Sequence, residues 1–408
     1  MSRPLCPLPF THLFINNAGI VNACCLTYPQ YSKKDEFGEN LAERSVLSVG
    51  LLAAWHSSYL KNFREKMESQ QWPKTCATCF RQEETGLKSR RIQELENTAI
   101  RINSAQPVAI RTMDLRVGNV CNLACRMCSP FSSSLLYKEW KDSGATASKI
   151  ISESIGSYDK IDWKNWSEIP EIWDDLLKIS DSVEEINFAG GEPFLNLAHV
   201  DFLKKLVLSK RSQKIRISYN TNLTRIPSWL EPLIPEFKSI RIMVSIDGIE
   251  ALGEYIRYPL KWSTFEASLT QLNDLKDRYQ EKLEVAFNTT VQAYNLFGLV
   301  DLLKYLKNSP HAHLPRTTVA NILQNPGYFN VANLPHEIKQ AAKEQISEYF
   351  NLHTQHDSAE FLEAVLQQLN TAEFEDLSDE FRRVTKFYDQ QRSQSLAAVV
   401  PEMRHFGL

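Results

Sequence analysis

The stretch Ala109-Ile-Arg-Thr-Met-Asp-Leu-Arg-Val-Gly-Asn-Val-Cys-Asn-Leu-Ala-Cys-Arg-Met-Cys128 joins a short apolar run to a loop with three cysteines. Cys121, Cys125 and Cys128 have the spacing C-x3-C-x2-C, which supplies three thiolates and no fourth. A structural metal site closes its coordination, whereas a reactive site keeps one position open. The loop is therefore predicted to hold an iron–sulfur cluster with one open iron, the alternatives being structural zinc or an incidental cysteine cluster.

Apolar, β-branched runs alternate with longer amphipathic segments around this loop. The runs predict strands over Ala109 to Val117, Glu184 to Ala189, Lys214 to Tyr219, Ile240 to Ile246, Leu283 to Val291 and Thr317 to Leu323. The amphipathic segments predict helices over Leu197 to Leu208, Phe265 to Tyr279 and Leu296 to Leu306. This alternation predicts a parallel sheet of six β-α units, in which functional groups collect at the carboxyl ends of the strands. Further helices are expected between Tyr137 and Asp181 and from Glu337 onward.

Composition limits the classes of function. The chain has 408 residues, of which 43% are hydrophobic and 23% are charged, so it can form two or three domains of usual size. The formal net charge of −3 argues against a nucleic-acid partner. The N-terminus has no signal-peptide pattern, and no apolar segment reaches the length that spans a bilayer, so no membrane contact and a cytoplasmic location are expected. In a reducing compartment the eight cysteines are expected to be metal ligands or buried thiols.

A second set of cysteines lies in the first 80 residues. It consists of Cys6, Cys24, Cys25 and the pair Cys76 and Cys79. A C-x2-C knuckle with two distant single cysteines is a four-ligand site, for either zinc or a fully ligated iron–sulfur cluster. Cys24 and Cys25 compete for one place, because neighbouring side chains of an extended segment point to opposite faces.

The cysteine loop resembles the signature of the radical S-adenosylmethionine enzymes. The segment Gly190-Gly-Glu-Pro193 after the second strand and the pattern Ser245-x-Asp247-Gly followed by Arg257 after the fourth resemble further motifs of that family. The N-terminal cysteines resemble its twitch (SPASM-like) auxiliary-cluster domain, which here precedes the barrel.

The resemblance implies an α/β fold, a partial (β/α)6 TIM-type barrel with a small N-terminal auxiliary iron–sulfur domain and a helical C-terminal extension. The expected boundaries are 1–104 for the twitch-like domain, 105–325 for the barrel and 326–408 for the extension. The motifs of the resemblance run from residue 6 to about 335, so the C-terminal helices have no implied role.

The resemblance also implies a set of cofactor-binding residues. Cys121, Cys125 and Cys128 would hold the 4Fe-4S cluster that binds S-adenosylmethionine, and Cys6, Cys24, Cys76 and Cys79 would hold an auxiliary 4Fe-4S cluster, preferred over zinc. The residues expected to contact S-adenosylmethionine are Gly190, Gly191, Glu192 and Pro193 at its ammonium, Asn220, Asn222 and Asp247 at its ribose, Ser245 and Arg257 at its carboxylate, and Asn288 and Val291 at its adenine.

Leu223 departs from this pattern, because many relatives have glycine at that place, and the local backbone is expected to differ. No catalytic side chain is identified by the sequence.

The implied activity is reductive cleavage of S-adenosylmethionine to a 5′-deoxyadenosyl radical, which abstracts hydrogen from a substrate carbon. An oxidative modification of a peptide or protein is expected, with a sugar or nucleoside dehydrogenase or epimerase as the alternative and a zinc-stabilised non-catalytic scaffold as the alternative of another class. A reductant such as flavodoxin or ferredoxin would supply the electron. Two clusters use seven of the eight cysteines, which disfavours an epimerase with a cysteine hydrogen donor and leaves Tyr219, Tyr255 and Tyr294 as alternative donors.

Overall fold

The computed structural model describes residues 5–27, 36–38, 40–84, 88–97, 109–144, 165–308, 318–352, 359–370 and 377–406. The strands within these ranges are β1 (His12–Ile15), β2 (Val21–Asn22), β3 (Thr112–Arg116), β4 (Glu185–Ala189), β5 (Arg216–Thr221), β6 (Ser239–Ser245), β7 (Leu283–Val291) and β8 (Thr318–Ile322). They form one eight-stranded sheet in the order β2-β1-β3-β4-β5-β6-β7-β8. The sheet is open, with β2 and β8 at its ends, which confirms the predicted α/β partial barrel.

Six of these strands, β3 to β8, are the strands that the sequence predicts. The ladders of β3 with β4, β4 with β5 and β7 with β8 are parallel, as the alternation of strands and helices requires. The other two strands come from the N-terminal segment. β1 pairs in parallel with β3, with His12 opposite Thr112, and β2 folds back antiparallel on β1, with Phe14 opposite Asn22. The N-terminal segment therefore contributes to the sheet as well as carrying the second set of cysteines.

Each buried strand keeps its apolar side chains on one face. Met113 and Leu115 of β3 are buried, while Asp114 and Arg116 alternate with them and lie on the opposite face. β7 alternates buried and half-buried positions along its whole length. This two-residue period explains how the inner strands can present polar side chains without interrupting the apolar packing.

The helices expected to follow strands are present at Ala198–Leu208, Trp262–Tyr279 and Leu299–Asn308. The region from Tyr137 to Asp181 carries the expected extra helices at Ser134–Asp142 and Pro170–Lys178, and Trp163 within it lies outside the described residues. The remaining α-helices are Leu8–Thr11, Val46–Val49, Leu51–Trp55, Ser58–Glu68, Ala77–Glu84, Arg90–Asn97, Glu250–Ile256, His336–Leu352, Ala359–Asn370, Ser378–Arg392 and Leu396–Val399. In the part of the chain that the structure describes, no helix is both long and apolar enough to cross a membrane.

The chain divides into two compact units. The first comprises residues 1–120, 157–219 and 235–240, and it contains the N-terminal cysteines and the Gly190-Gly-Glu-Pro193 segment. The second comprises residues 121–156, 220–234 and 241–408, and it contains the cysteine loop and the C-terminal helices. The boundaries expected from the sequence at 104/105 and 325/326 stay predictions.

Leu223 has the backbone conformation that glycine favours. Its φ is +52° and its side chain is fully buried, while its N–H donates to the Thr221 hydroxyl (3.0 Å). A left-handed conformation costs a residue with a β-carbon roughly 1–2 kcal/mol. The turn after β5 therefore has the backbone conformation that glycine favours, although a leucine occupies it. Burial of the Leu223 side chain offsets the conformational strain.

The strain at residue 223 can be measured with two substitutions. Leu223→Ala should lower the free energy of unfolding by about 2–5 kcal/mol, because the buried side chain is lost. Leu223→Gly should be more stable than Leu223→Ala by about 1 kcal/mol, because glycine adopts a positive φ without cost. Thermal unfolding of matched reconstituted samples checks the order. A glycine variant less stable than the alanine variant would contradict the left-handed assignment.

Candidate metal and cofactor sites

Four cysteines of the first unit line one cavity. Cys6 precedes the helix Leu8–Thr11, Cys24 follows β2, Cys76 ends the short 3-10 helix Lys74–Cys76 and Cys79 lies in the following helix. The cavity is completed by apolar and basic side chains, among them Leu8, Phe63, Met67, Trp72, Arg90 and Arg91. The structure thus brings together the four residues that were predicted as auxiliary ligands.

Burial disfavours charge on three of these thiols. It raises the pKa of Cys6 to about 12, and it raises the pKa values of Cys24 and Cys76 well above their usual range. Neighbouring cysteines raise the pKa of Cys24 further, Cys25 most and then Cys6 and Cys76. Because metal ligation requires the thiolate, a group of high positive charge is needed to hold these four sulfurs together.

Four thiols around one cavity can bind either of two metal groups. A tetrahedral zinc ion takes four thiolates at one point, whereas in a 4Fe-4S cluster each iron takes its own thiolate.

Cys25 lies in different surroundings from Cys24. It does not line the four-cysteine cavity, and the charges that act on its thiol, after the burial that raises its pKa, are those of Asp114, Arg116 and Arg90. Asp114 accepts hydrogen bonds from Asn187 (3.0 Å) and Arg116 (2.9 Å) on the polar face of β3 and β4. The extended segment expected from the sequence is not present here, because the backbone turns after Cys24, with the Thr27 N–H donating to the Cys24 carbonyl (3.2 Å).

The Gly190-Gly191 pair lies against the backbone that leads into the cysteine loop. Gly190 has a φ of +123°, and a β-carbon at Gly191 would lie 2.2 Å from the Val120 carbonyl oxygen. The Gly191 N–H donates to the Gly118 carbonyl (2.8 Å). These glycines were expected to allow a close approach to a ligand, and the structure shows that they allow a close approach between two strand ends.

Glu192 and Pro193 start the short 3-10 helix Pro193–Leu195. The buried Glu192 carboxylate accepts the Phe194 N–H (3.0 Å), and the Glu192 N–H donates to the Val120 carbonyl (2.7 Å). Pro193 occupies the first helical position, where its missing N–H costs nothing. Glu192 therefore has a capping role, and its contact with the S-adenosylmethionine ammonium stays a prediction.

The cysteine loop of the second unit is fixed by backbone hydrogen bonds. The N–H groups of Ala124 and Arg126 donate to the carbonyls of Tyr258 (2.6 Å) and Ile256 (2.9 Å). The buried Ser133 hydroxyl donates to the Leu123 carbonyl (2.6 Å). A loop held on both sides of Cys125 presents its thiols in a defined arrangement.

Burial also raises the pKa values of Cys125 and Cys128, that of Cys128 to about 12. The positive charge of Arg257 opposes this at both Cys125 and Cys128. The Asn222 side-chain amide lies 3.9 Å from the Cys121 sulfur and donates to the Asn122 side-chain oxygen (3.0 Å). The loop thus combines three sulfurs, a nearby cation and an amide donor, which suits an anionic cluster.

Asp247 and Arg257 form a buried ion pair. Arg257 Nη2 lies 2.6 Å from Asp247 Oδ2, and Asp247 Oδ1 accepts the Thr290 N–H (2.7 Å). Burial raises the pKa of Asp247, and Arg257 lowers it again in part. Arg257 Nε is buried and has no hydrogen-bond partner in the described part of the chain. That donor suits an anionic group such as a carboxylate.

The other predicted contacts lie at strand ends of the second unit. Ser245 ends β6, and Asn220 and Asn288 are half-buried in β5 and β7. The Asn288 carbonyl accepts the Ile246 N–H (3.0 Å), and its side chain contacts Asn321 of β8. Val291 is buried and its carbonyl accepts the Leu323 N–H (3.0 Å). These positions are compatible with the expected ribose, carboxylate and adenine contacts, which stay predictions.

Sequence reasoning missed the residues that surround the loop from the C-terminal side. Arg126, between Cys125 and Cys128, is buried and pairs with Asp389 of the helix Ser378–Arg392 (2.7 Å). The indication in the sequence was an arginine inside a loop that packs against the protein interior. Its partner, more than 260 residues away in sequence, carried no signal.

Two family models match the chain. Residues 115–304 match the radical SAM superfamily, and residues 6–80 match an iron–sulfur cluster-binding domain, SPASM. The chain thus combines a radical S-adenosylmethionine superfamily segment with an iron–sulfur cluster-binding segment that precedes it in sequence. Its cofactors are accordingly 4Fe-4S clusters and S-adenosylmethionine, as predicted. No curated protein matches the chain.

Solved structures with similar folds include "Native anSMEcpe with bound AdoMet", which is 19% identical, with 62% of each chain covered and a TM-score of 0.39. Streptococcus suis SuiB bound to S-adenosylmethionine is 14% identical, with a TM-score of 0.38, and the match covers 74% of this chain and 60% of SuiB. The chain thus spans about three fifths of the length of these two proteins.

A single methyl group tests the contact at Gly191. Gly191→Ala should lower the free energy of unfolding by roughly 1–3 kcal/mol, because the backbone at Val120 must move. Since Val120 directly precedes Cys121, iron at the loop should fall while iron at the auxiliary site is retained. Gly327→Ala is the control, because its β-carbon would meet side-chain atoms and no backbone, the end of Leu377 at 3.2 Å and the Asn333 Nδ2 at 3.6 Å. Equal effects of the two substitutions on loop iron would contradict this role of Gly191.

Proposed function

We propose that this chain is an enzyme with two 4Fe-4S clusters that cleaves S-adenosylmethionine reductively and removes hydrogen from a substrate carbon. The observation that carries the proposal is the division of seven cysteines into two sets with different coordination. Three lie in one loop and leave a position open, and four line one cavity. When bound, the open cluster supplies one electron to the sulfonium of S-adenosylmethionine.

The chain's own residues bind and orient the cofactor in this proposal. Arg257, held by Asp247, offers its free Nε to the carboxylate of S-adenosylmethionine. The buried Glu192 places a negative charge for the ammonium. Ser245, Asn220, Asn222, Asn288 and Val291 surround the carboxylate, ribose and adenine as the resemblance implies.

The auxiliary site supports an oxidative reaction. Its four thiolates complete the coordination of a cluster, so no position is open for substrate and electron transfer is the remaining role. Cys25 does not line this cavity. We therefore propose an oxidoreductase that draws on flavodoxin or ferredoxin as reductant.

The polar face of β3 and β4 favours a substrate rich in hydrogen-bonding groups. Asp114, Arg116 and Asn187 provide a carboxylate, a guanidinium and an amide within one hydrogen-bonded group. Such a set suits the amides of a peptide, which the resemblance of the Ser245-x-Asp247-Gly motif also favours. The same groups suit the hydroxyls of a sugar or nucleoside, which we keep as the second candidate.

Of the two sets of cysteines, cofactor cleavage should depend on the three cysteines of the loop. Alanine at Cys121, Cys125 or Cys128 should abolish 5′-deoxyadenosine formation with dithionite and S-adenosylmethionine, because the cluster loses one of only three ligands. Iron should fall from about eight to about four per chain, since the auxiliary site is separate. Full cleavage in any of these variants would refute the assignment. Zinc with no iron in the reconstituted wild-type chain would instead identify the non-catalytic scaffold.

Adding candidate substrates to the wild-type reaction separates the two substrate classes. Peptides that carry an oxidised residue by mass spectrometry would support the first class. Turnover of sugars or nucleosides alone would support the second.

The doubled cysteine gives a matched pair of variants. Cys24→Ala should lower iron by about half, because Cys24 lines the cavity with three other cysteines, and Cys25→Ala should retain both clusters. Iron and sulfide analysis with electron paramagnetic resonance checks both. Iron loss only in the Cys25 variant would reverse the ligand assignment. Two intact clusters without product in the Cys25 variant would identify that thiol as a hydrogen donor and contradict the oxidative proposal.

A further inference from the structure

The helix Ser378–Arg392 lies beyond both family matches, and it packs on the cysteine loop. Arg126 of the loop is 1% exposed, and its Nη2 donates to Asp389 Oδ1 (2.7 Å) and to the Gln394 side chain (3.0 Å). Asp389 also accepts the Tyr255 hydroxyl (2.9 Å). Trp140, from the helix after the loop, donates to the Tyr388 hydroxyl (3.1 Å). These buried contacts fix the C-terminal helix to the loop and to its neighbours.

Arg392, in the last turn of this helix, is held in one orientation. Its Nε and Nη2 donate to the two carboxylate oxygens of Glu139 (2.8 and 2.6 Å). Its guanidinium lies over the rings of Tyr388 (4.3 Å) and Tyr258 (4.8 Å). The Tyr258 carbonyl accepts the Ala124 N–H, next to Cys125. Packing and a bidentate pair thus place a buried cation next to the middle of the loop.

One hydrogen-bond donor of the Arg392 guanidinium is unused. Its Nη1 is buried and has no hydrogen-bond partner within the described ranges. A buried donor without an acceptor is costly, so the site is expected to receive an acceptor that the chain does not supply.

We propose that Arg392 sets the reduction potential of the cluster at Cys121, Cys125 and Cys128, by supplying a buried positive charge next to the loop. Reduction adds an electron to an anionic cluster, so a nearby cation stabilises the reduced form. Cluster potentials depend on net charge and on hydrogen bonds to the sulfurs. The C-terminal helix is therefore part of the cofactor centre, and Asp389 anchors it through Arg126.

Two substitutions in the Arg392–Glu139 pair should act in opposite directions. Arg392→Gln removes the cation and leaves the Glu139 carboxylate, so the midpoint potential of the loop cluster should fall. Glu139→Gln leaves the cation without its counter-charge, so the potential should rise. The measurement is a redox titration of the holoenzyme followed by electron paramagnetic resonance. The loop cluster is recognised as the signal that changes on addition of S-adenosylmethionine.

Three controls separate charge from packing. Arg392→Lys keeps the charge and should stay close to the wild-type potential. Arg382→Gln makes the same substitution on the same helix, at a residue that pairs with Asp379 (2.8 Å), and should change nothing. The auxiliary cluster, bound by cysteines of the first unit, should keep its potential in every variant.

The outcomes distinguish this inference from the assignment on which it rests. A wild-type chain with no signal that responds to S-adenosylmethionine would contradict the loop cluster itself. A responsive cluster whose potential is unchanged in Arg392→Gln, or shifts in the same direction in Arg392→Gln and Glu139→Gln, would overturn the role of Arg392 alone. Loss of iron in both Arg392→Gln and Arg392→Lys would show a packing role, because lysine keeps the charge, and would also overturn it.

Discussion

The backbone contact between Gly191 and Val120 is the constraint on which the site depends. β3 and β4 end side by side, and the Val117 N–H donates to the Ala189 carbonyl (2.8 Å). The chain then continues with Gly191 against Val120, too close for any β-carbon. The carbonyls of this segment are held from outside as well, because Asn17 donates to that of Gly118 and Asn196 to that of Val117 (each 2.7 Å). The first cysteine of the loop therefore follows a backbone with little freedom.

Buried thiols create the second constraint. Burial raises the pKa values of cysteines in both sets, so neither set is a stable group of thiolates by itself. Each set is accompanied by cations. Arg257 and Arg392 act on Cys125 in the loop, and Arg90 and Arg91 line the four-cysteine cavity. The charge of the bound cluster and these arginines together make ligation favourable, which ties metal binding to the packing of the surrounding helices.

The strands β3 to β8 could be predicted because each is long enough to show a period of two residues or an apolar run. β1 and β2 have four and two residues, and their place in the sheet follows from the pairing of β1 with β3, a contact about 100 residues away in sequence. Leu223 shows a different limit of prediction from sequence. A leucine in place of the glycine of many relatives predicted an altered backbone, yet the turn after β5 imposes a positive φ on whichever residue occupies it.

The sequence by itself determined the chemistry that is available. The spacing of Cys121, Cys125 and Cys128 determines three thiolates in one loop, and the C-x2-C pair with earlier cysteines determines a second set, because these features depend only on covalent order. Tertiary structure decided which groups meet. It placed Cys24 in the cavity with Cys6, Cys76 and Cys79, because segments far apart in sequence pack around that cavity, and it left Cys25 outside the cavity lining, in the turn from Cys24 to Thr27.

Tertiary structure also decided how the buried charges are paired. It paired Asp247 with Arg257, at the two sides of the helix Glu250–Ile256. It also brought Arg392, near the C-terminus, to the residues that hold the loop. Pairing of this kind follows from the cost of burying a charge without a partner. That cost depends on which residues are close in space, and the order of residues along the chain does not specify which residues become neighbours.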